Sequence, residues 1–289
     1  HLPAIARDPR YQLVAIADGR GDPGQGVPWF AEPEEMFAAS RGQLDAVAIC
    51  TPPQVRHALA RQALDAGVAV LLEKPPAATL GEIIDLELRA KTANRGLYAA
   101  WHSQHAAGVG TAAAMLADAG IRRLDIRWFE DVRKWHPGQD WIWTAGGFGV
   151  FDPGINALSI ATRILPVPLL VRAARLLIPA NRQAPIAAEL DFAGQALHAT
   201  FDWRHCDGER WEIRVETNDD RVILLEDGGA RLSIDGVTHA LTDTGEYPSI
   251  YDGFADAVRD RAIVVDHDPL RIVADAFLVG HRETIAPFT

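Results

Sequence analysis

An α/β domain built on a parallel sheet, followed by an α+β domain with an open, mostly antiparallel sheet, is the fold class that these 289 residues predict. Three observations carry that reading. The length suits two domains at roughly 100–200 residues each, with enough chain for each to bury a core. Through residues 1–102, apolar, β-branched segments alternate with stretches of helical periodicity, the grammar of βαβ units and a parallel sheet. Through most of residues 103–289, short strands follow one another at hairpin spacing, the grammar of an antiparallel sheet.

The elements follow in order. Residues 1–7 read as part of a helix. Strands are expected at 12–17, 45–50, 68–72 and 97–101, each bounded by Gly, Pro, Asp or Thr. Between them, Val55, Ala58, Leu59 and Leu64 fall at helical spacing within 54–66, and a second helix is expected at Leu80–Ala93. Beyond His102 a helix at about 109–119 leads into a strand at 122–129, then a stretch rich in Trp and Gly from Trp135 to Gly149. A helix at 154–164 ends at Pro166 and Pro168. Six strands are then expected at 171–178, 186–192, 196–203, 211–216, 221–226 and 230–234. Two helices, 249–260 and 269–283, close the second domain.

Composition narrows the function. Twenty-eight Lys and Arg against 39 Asp and Glu give a net charge of -11, which repels phosphate backbones and anionic membranes. No basic patch offsets it, and no apolar run approaches the roughly 20 residues that span a bilayer. Two cysteines make no disulfide framework; Cys50, at the end of an apolar run, is expected to be a buried free thiol. A cytoplasmic protein is expected. Elbow, Walker and His-Glu-x-x-His motifs are missing, so hydrolysis and phosphoryl transfer lack support.

Several residues sit where chemistry would need them. Asp18 ends a strand, where an acid in a dinucleotide-binding sheet hydrogen-bonds the adenosine ribose; it could equally be a solvated turn residue. On the first reading a strand and a Gly-rich phosphate loop would lie upstream of residue 1. Thr51-Pro52-Pro53 follows a strand and opens a helix, either as a ligand loop or as a proline-stiffened helix start. Glu73-Lys74-Pro75-Pro76 places a lysine at the carboxyl end of a buried strand, where burial would make it a usable acid, base or donor; the alternative is a solvated lysine at a strand end. Asp152 and Asn156, four apart, share one helix face; Asp152 also suits the N-cap, with Pro153 at N1. Gly147 and Gly149, just ahead, could admit a substrate to the backbone. Trp135, Trp141, Trp143 and Trp203 could face a sugar ring or simply form core, with Glu130 and His136 able to bind hydroxyls. His102 ends a strand at the carboxyl edge, His57 reads as packed structure, and His1, His198, His239, His267 and His281 read as surface.

In this order, Asp18, Thr51-Pro52-Pro53, Glu73-Lys74-Pro75 and Asp152-Pro153-Gly154-Ile155-Asn156 resemble the Gfo/Idh/MocA oxidoreductases over the whole chain. The family's commoner histidine is replaced here by Asn156. Trp101-His102-Ser103, Glu130-Asp131-Val132-Arg133, Trp135-His136-Pro137-Gly138-Gln139 and the run from Gly147 to Gly154 resemble its bacterial aldose 1-dehydrogenases, which oxidise L-arabinose or D-galactose at C1 to a lactone.

The resemblance implies a Rossmann domain and an NAD(P) cofactor, with NAD preferred because Asp18 would repel a 2′-phosphate while Arg20 leaves NADP possible. It implies that Lys74 bridges substrate and nicotinamide ribose and that Asp152 and Asn156 hold the C1 hydroxyl. It further implies that His102, Glu130, His136 and Trp203 line the sugar pocket, and that Thr51, Pro52 and Glu73 border the nicotinamide. An aldose substrate and a homo-oligomer through the second-domain sheet are expected. Inositol or dihydrodiol oxidation, or a non-catalytic sugar sensor on the same fold, are the alternatives.

Overall fold

The computed structural model describes residues 1–194 and 196–289. The chain begins in a short helix, α1 (Leu2–Arg7), with Pro3 near its start, where a missing N–H costs nothing. Strand β1 (Ile16–Ala17) pairs in parallel with β2 (Trp29–Phe30), and α2 (Pro33–Ala39) follows. Strand β3 (Ala46–Ile49), helix α3 (Pro53–Asp65), strand β4 (Ala69–Glu73), helix α4 (Leu80–Ala93) and strand β5 (Leu97–Ala100) are the expected alternation. A capping box starts α4: the Thr79 hydroxyl accepts from the Glu82 N–H, and the Glu82 carboxylate accepts from the Thr79 N–H. His57 on α3 bonds Asp85 on α4 at 2.9 Å, which fits its reading as packed structure.

Helix α5 (Val109–Leu116) and strand β6 (Ile121–Phe129) open the second half. The one-turn helix α6 (Val132–Trp135) and a 3-10 turn at Asp140–Trp143 lead to the long helix α7 (Phe151–Ile164). Seven strands follow: β7 (Val171–Pro179), β8 (Ala187–Phe192), β9 (Leu197–Asp202), β10 (Arg210–Thr217), β11 (Val222–Glu226), β12 (Arg231–Ile234) and β13 (Val237–Thr238). Helix α8 (Glu246–Asp260), strand β14 (Ile263–Val264), helix α9 (Asp268–Val279) and strand β15 (His281–Ile285) complete the chain.

The chain divides into two units, 1–100 with 247–266, and 101–246 with 267–289. This departs from the sequence-based division at residues 102 and 103, because α8 and β14 return to the first unit. Strand β14 extends the parallel sheet, whose order is β14-β5-β4-β3. One face of α8 (Ile250, Tyr251, Phe254, Ala257) packs with Ala69 and Leu71 of β4 and Tyr98 and Ala100 of β5 in one core cluster. Sequence periodicity marks α8 as amphipathic, but only the fold decides which sheet its apolar face covers.

The second unit is a nine-stranded sheet in the order β13-β12-β11-β10-β6-β9-β8-β7-β15. It is antiparallel except where β9 lies parallel to β6 and β15 parallel to β7. Alternation along β6 buries Leu124, Ile126 and Trp128 and leaves Arg123, Asp125 and Arg127 on the other face.

Other expectations shift. The segment 12–17 shrinks to Ile16 and Ala17, since pairing defines a strand and its partner β2 is two residues long. The expected helix 269–283 stops at Val279. Gly280 turns extended, and Arg175 draws Glu283 of β15 into an ion pair at 2.8 Å. Cys50 is exposed, not buried.

Gly96, just before β5, lies against α8: a Cβ there would lie 2.5 Å from the Ala257 carbonyl oxygen. Gly96→Ala should therefore destabilise the first unit by about 1–3 kcal/mol, read as a melting-temperature drop of several degrees. An unchanged melting curve would show that α8 yields freely.

Candidate active site

The first unit brings two loops together at the carboxyl ends of β3 and β4. Pro52 is the N-cap residue of α3 and Pro53 its first residue, so the Thr51 loop runs straight into the helix. Arg56, one turn in, is 2% exposed. It donates through Nη1 to the carbonyls of Glu73 (2.6 Å) and Pro75, and through Nη2 to the carbonyl of Thr51. Lys74 is half-buried between Glu73 and Pro75, to which it is joined by a cis peptide.

Glu73 is held from several sides. Its Oε1 accepts from the Tyr247 hydroxyl at 2.6 Å and pairs with His1 Nε2 at 3.0 Å, while Oε2 accepts from the Lys74 N–H at 2.8 Å. His1, read from sequence as surface, is half-buried, with Nδ1 2.9 Å from the Tyr251 hydroxyl. Burial opposes its charging, but hydrogen bonds to Cys50 and Glu73 outweigh that and raise its pKa to about 9.

Asp18 follows β1 and is gripped by Arg20, Nε to Oδ1 at 3.0 Å and Nη2 to Oδ2 at 2.9 Å. Side-chain and backbone hydrogen bonds from Arg20 lower the Asp18 pKa to about 2. The Thr51 hydroxyl oxygen is buried and meets no hydrogen-bond partner among the described residues. An unmet hydroxyl beside a half-buried lysine, at the carboxyl ends of parallel strands, fits a polar ligand such as a dinucleotide.

The second unit assembles a different set. Asp152 is 4% exposed and is the second residue of α7, whose N-cap is Val150. Asp152 therefore does not hold the N-cap position that the sequence allowed it, and no side chain at Val150 caps the helix. His136, which ends α6, places Nε2 3.5 Å from Asp152 Oδ2. Its Nδ1 lies 3.4 Å from Gln139 Oε1, which also accepts the Trp141 indole N–H at 3.2 Å. An indole N–H only donates, so that atom of Gln139 is an oxygen, and His136 Nδ1 must carry hydrogen to bond it. The nitrogen facing Asp152 is then Nε2. A cleft of about 190 Å³, walled by Val132, His136, Gln139 and Trp143 among others, opens beside this imidazole. Asn156 lies one turn beyond Asp152, half-buried on the same face of α7.

Of the two readings the sequence left for the indoles, Trp203 takes the core one. Trp203 is fully buried, packed on His136 at 5.3 Å and on Trp143 at 5.2 Å between ring centres. It supports the wall behind His136 and has no face to offer a ligand. Glu130, 3% exposed, accepts from Trp203 Nε1 at 3.2 Å and Trp211 Nε1 at 2.9 Å. Each of its oxygens is thus engaged. Gly147 and Gly149 serve packing. A Cβ on Gly147 would strike Trp141 and Ile142 backbone, and one on Gly149, at φ 54°, the Pro185 carbonyl. His102 bonds Glu246 through Nδ1 at 2.8 Å.

Sequence reasoning missed Arg56, Tyr247 and Gln139. A signal existed for Arg56: the buried positions of α3 are Pro53, Arg56, Ala60, Ala63 and Leu64, a helical stripe with one charge in it. For Tyr247 none existed, since it is 174 residues from Glu73.

The model of the Gfo/Idh/MocA oxidoreductase family, NAD-binding Rossmann fold, matches residues 1–100. Galactose 1-dehydrogenase of Pseudomonas fluorescens is 43% identical over 100% of this chain and 93% of its own. The chain belongs to this oxidoreductase family. The crystal structure of D-galactose-1-dehydrogenase from Rhizobium etli superposes with a TM-score of 0.92 at 46% identity, covering 100% of this chain and 93% of that one. A 3-ketoreductase from Actinomadura kijaniata in complex with NADP and TDP-benzene reaches a TM-score of 0.81 at 17% identity, over 98% and 94% of the two chains, and shares the fold.

If the two indoles are what satisfies Glu130, removing either donor leaves a buried carboxylate oxygen short of a partner. Trp203→Phe and Trp211→Phe should each cost about 1–3 kcal/mol, or roughly 2–12 °C in melting temperature at the usual 2–4 °C per kcal/mol for a chain this size. Wild-type melting of Trp211→Phe would mean that Glu130 finds its partners elsewhere.

Proposed function

We propose that this protein is an NAD(P)-dependent sugar 1-dehydrogenase that oxidises an aldopyranose, D-galactose with L-arabinose as the other candidate, at C1 to the lactone. The observation that carries the reading is the buried Asp152 facing His136 at 3.5 Å in the first turn of α7. Its whole-chain likeness to galactose 1-dehydrogenases supports the sugar and the carbon attacked.

The nicotinamide cofactor supplies the acceptor for a hydride, so the protein's own work is to bind, align and move one proton. Asp18 would hold the adenosine ribose hydroxyls, while Thr51, Pro52, Glu73 and Lys74 would border the nicotinamide end. Asp152 and Asn156 are assigned to the C1 hydroxyl. The Asp152 carboxylate takes its proton as C1–H breaks, and Asn156, which cannot titrate, positions the oxygen. His136 then shares that proton through Nε2, and its place beside the cleft lets water take the proton away. Lys74 donates a hydrogen bond at the reacting end and assists proton transfer. His102 is assigned to the sugar's other hydroxyls, with His136 and Glu130, while Trp203 backs the wall.

Lys74→Ala should lower kcat about 100-fold or more with the protein still folded, and a variant keeping half the wild-type rate would remove it from the chemistry. Asp152→Asn keeps the shape but cannot take a proton. It should depress kcat far more than it raises KM, measured as NADH formed from D-galactose; wild-type turnover would sink the assignment of the base.

NAD is the proposed preference. Asp18 is ionised wherever the pH exceeds about 2, since Arg20 stabilises the carboxylate. A carboxylate accepts from the 2′-hydroxyl of NAD and repels a 2′-phosphate. With a folded pKa below the ordinary value of about 3.9, this charge is lost only as pH falls through about 2. The ratio of kcat/KM for NAD to that for NADP should favour NAD several-fold. The loss of charge lies below the working range, so the Asp18 contribution to that ratio stays constant from pH 6 to 9, apart from the phosphate's own titration near pH 6. Asp18→Ser should shift it toward NADP, and equal efficiency in the wild type would defeat the assignment.

A cytoplasmic location is proposed with the cofactor, and among the described residues no helix is long and apolar enough to cross a membrane. Association of two copies through the second-unit sheet is also proposed. Its open face carries interleaved charges, Arg127 on Asp125 and Arg214 on Glu216, that a rotated copy could meet.

A further inference from the structure

We propose that Arg56 is a positioning residue that holds Lys74 and the Thr51 loop in one fixed geometry, acting through backbone carbonyls. The proposal rests on the assignment of Lys74 above and adds a residue to it.

Arg56 is a cation taken almost wholly out of water, at 2% exposure, on the apolar stripe of α3. Burying a guanidinium costs free energy, and an apolar side chain of similar volume would often serve stability as well or better. Its hydrogen bonds show what it does. Nη1 donates to the Glu73 carbonyl at 2.6 Å and to the Pro75 carbonyl, the residues on either side of Lys74. Nη2 donates to the Thr51 carbonyl in the neighbouring loop. One rigid plane therefore ties together the ends of β3 and β4. A lysine could not do so, because its single ammonium lacks the planar fork.

The chemical consequence lies in the length of the lysine. Nζ stands about 6 Å from its own Cα by standard bond lengths, so a tilt of about 10° in the Lys74 backbone moves it by about 1 Å. Misplacing a reacting group by that distance costs on the order of 100-fold in rate. The opposite edge of the same peptide is also held, since the Lys74 N–H donates to Glu73 Oε2 at 2.8 Å. Arg56 governs the carbonyl edge and Glu73 the amide edge.

A double-mutant cycle in the full chain tests this, with kcat for D-galactose and NAD, both KM values and the melting temperature as readouts. Arg56→Met, apolar and of similar length, should stay folded and lose 10- to 100-fold in kcat, while the KM for the sugar changes less than threefold. In a Lys74→Ala background the same substitution should cost less than threefold, because there is no lysine left to misplace. Arg56→Ala should regain at least several-fold in kcat when millimolar guanidinium is added, with no such gain in wild type. Wild-type kcat in Arg56→Met overturns the proposal, and so does an equal loss with and without Lys74. If Arg56→Met does not fold, Arg56→Lys runs the same cycle; if neither folds, Arg56 is needed for the fold and the proposal falls. The assignment beneath it fails separately, when Lys74→Ala alone keeps its rate.

Discussion

A charged group withdrawn from water must be met by hydrogen bonds or an opposite charge, and each unit of this protein is arranged about groups that obey this constraint. In the first unit the group is Arg56, met by three carbonyls from two loops. In the second the groups are Glu130, met by two indoles, and Asp152, met by His136. These contacts are directional, unlike the apolar packing around them. They determine where Lys74 leaves its strand and where Asp152 stands on its helix.

The scaffold behind these groups is ordinary hydrophobic burial. β4, with Val70, Leu71 and Leu72 fully buried, cannot shift register without placing Glu73 in the core. Helix α7 is buried through most of its first turn, at Phe151, Asp152, Pro153 and Gly154, and a Cβ on Gly154 would press on the Phe201 ring at 2.7 Å. A carboxylate placed in so dense a setting has few rotamers to choose from. Rigid elements thus carry the functional groups, and the loops between them are pinned by side chains that have no chemistry of their own.

The family resemblance and this physical reading support each other without overlapping. Identity of 43–46% with galactose 1-dehydrogenases gives the class of reaction. It does not say how Lys74 is held, or that Gln139 and Trp141 assign the His136 tautomer. Those follow from hydrogen-bond geometry in this chain. The replacement of the family's commoner histidine by Asn156 makes the second point matter, since the imidazole beside the carboxylate comes from the end of α6 instead of from α7.

Much was legible before any coordinates. Alternating strands and helices gave the parallel sheet, because the period of apolar residues follows directly from backbone geometry. Lys74 at a strand end and Asp152 and Asn156 at a four-residue spacing stood out because their departure from that pattern is local. What depended on distant pairing was not legible. Residues 281–283 read as the end of a helix until β7 offered them an edge, and α8 read as part of the second domain until its apolar face met β4 and β5. Cys50 read as buried because an apolar run says nothing about where a strand's end emerges. The bond between the Trp203 indole and the Glu130 carboxylate was not legible either, because a sequence shows that both groups exist, not that they meet. Local periodicity is written in neighbouring residues, whereas the partners of a buried polar group can lie far along the chain, as Trp203 and Trp211 do from Glu130, and only the folded chain brings them into hydrogen-bond distance.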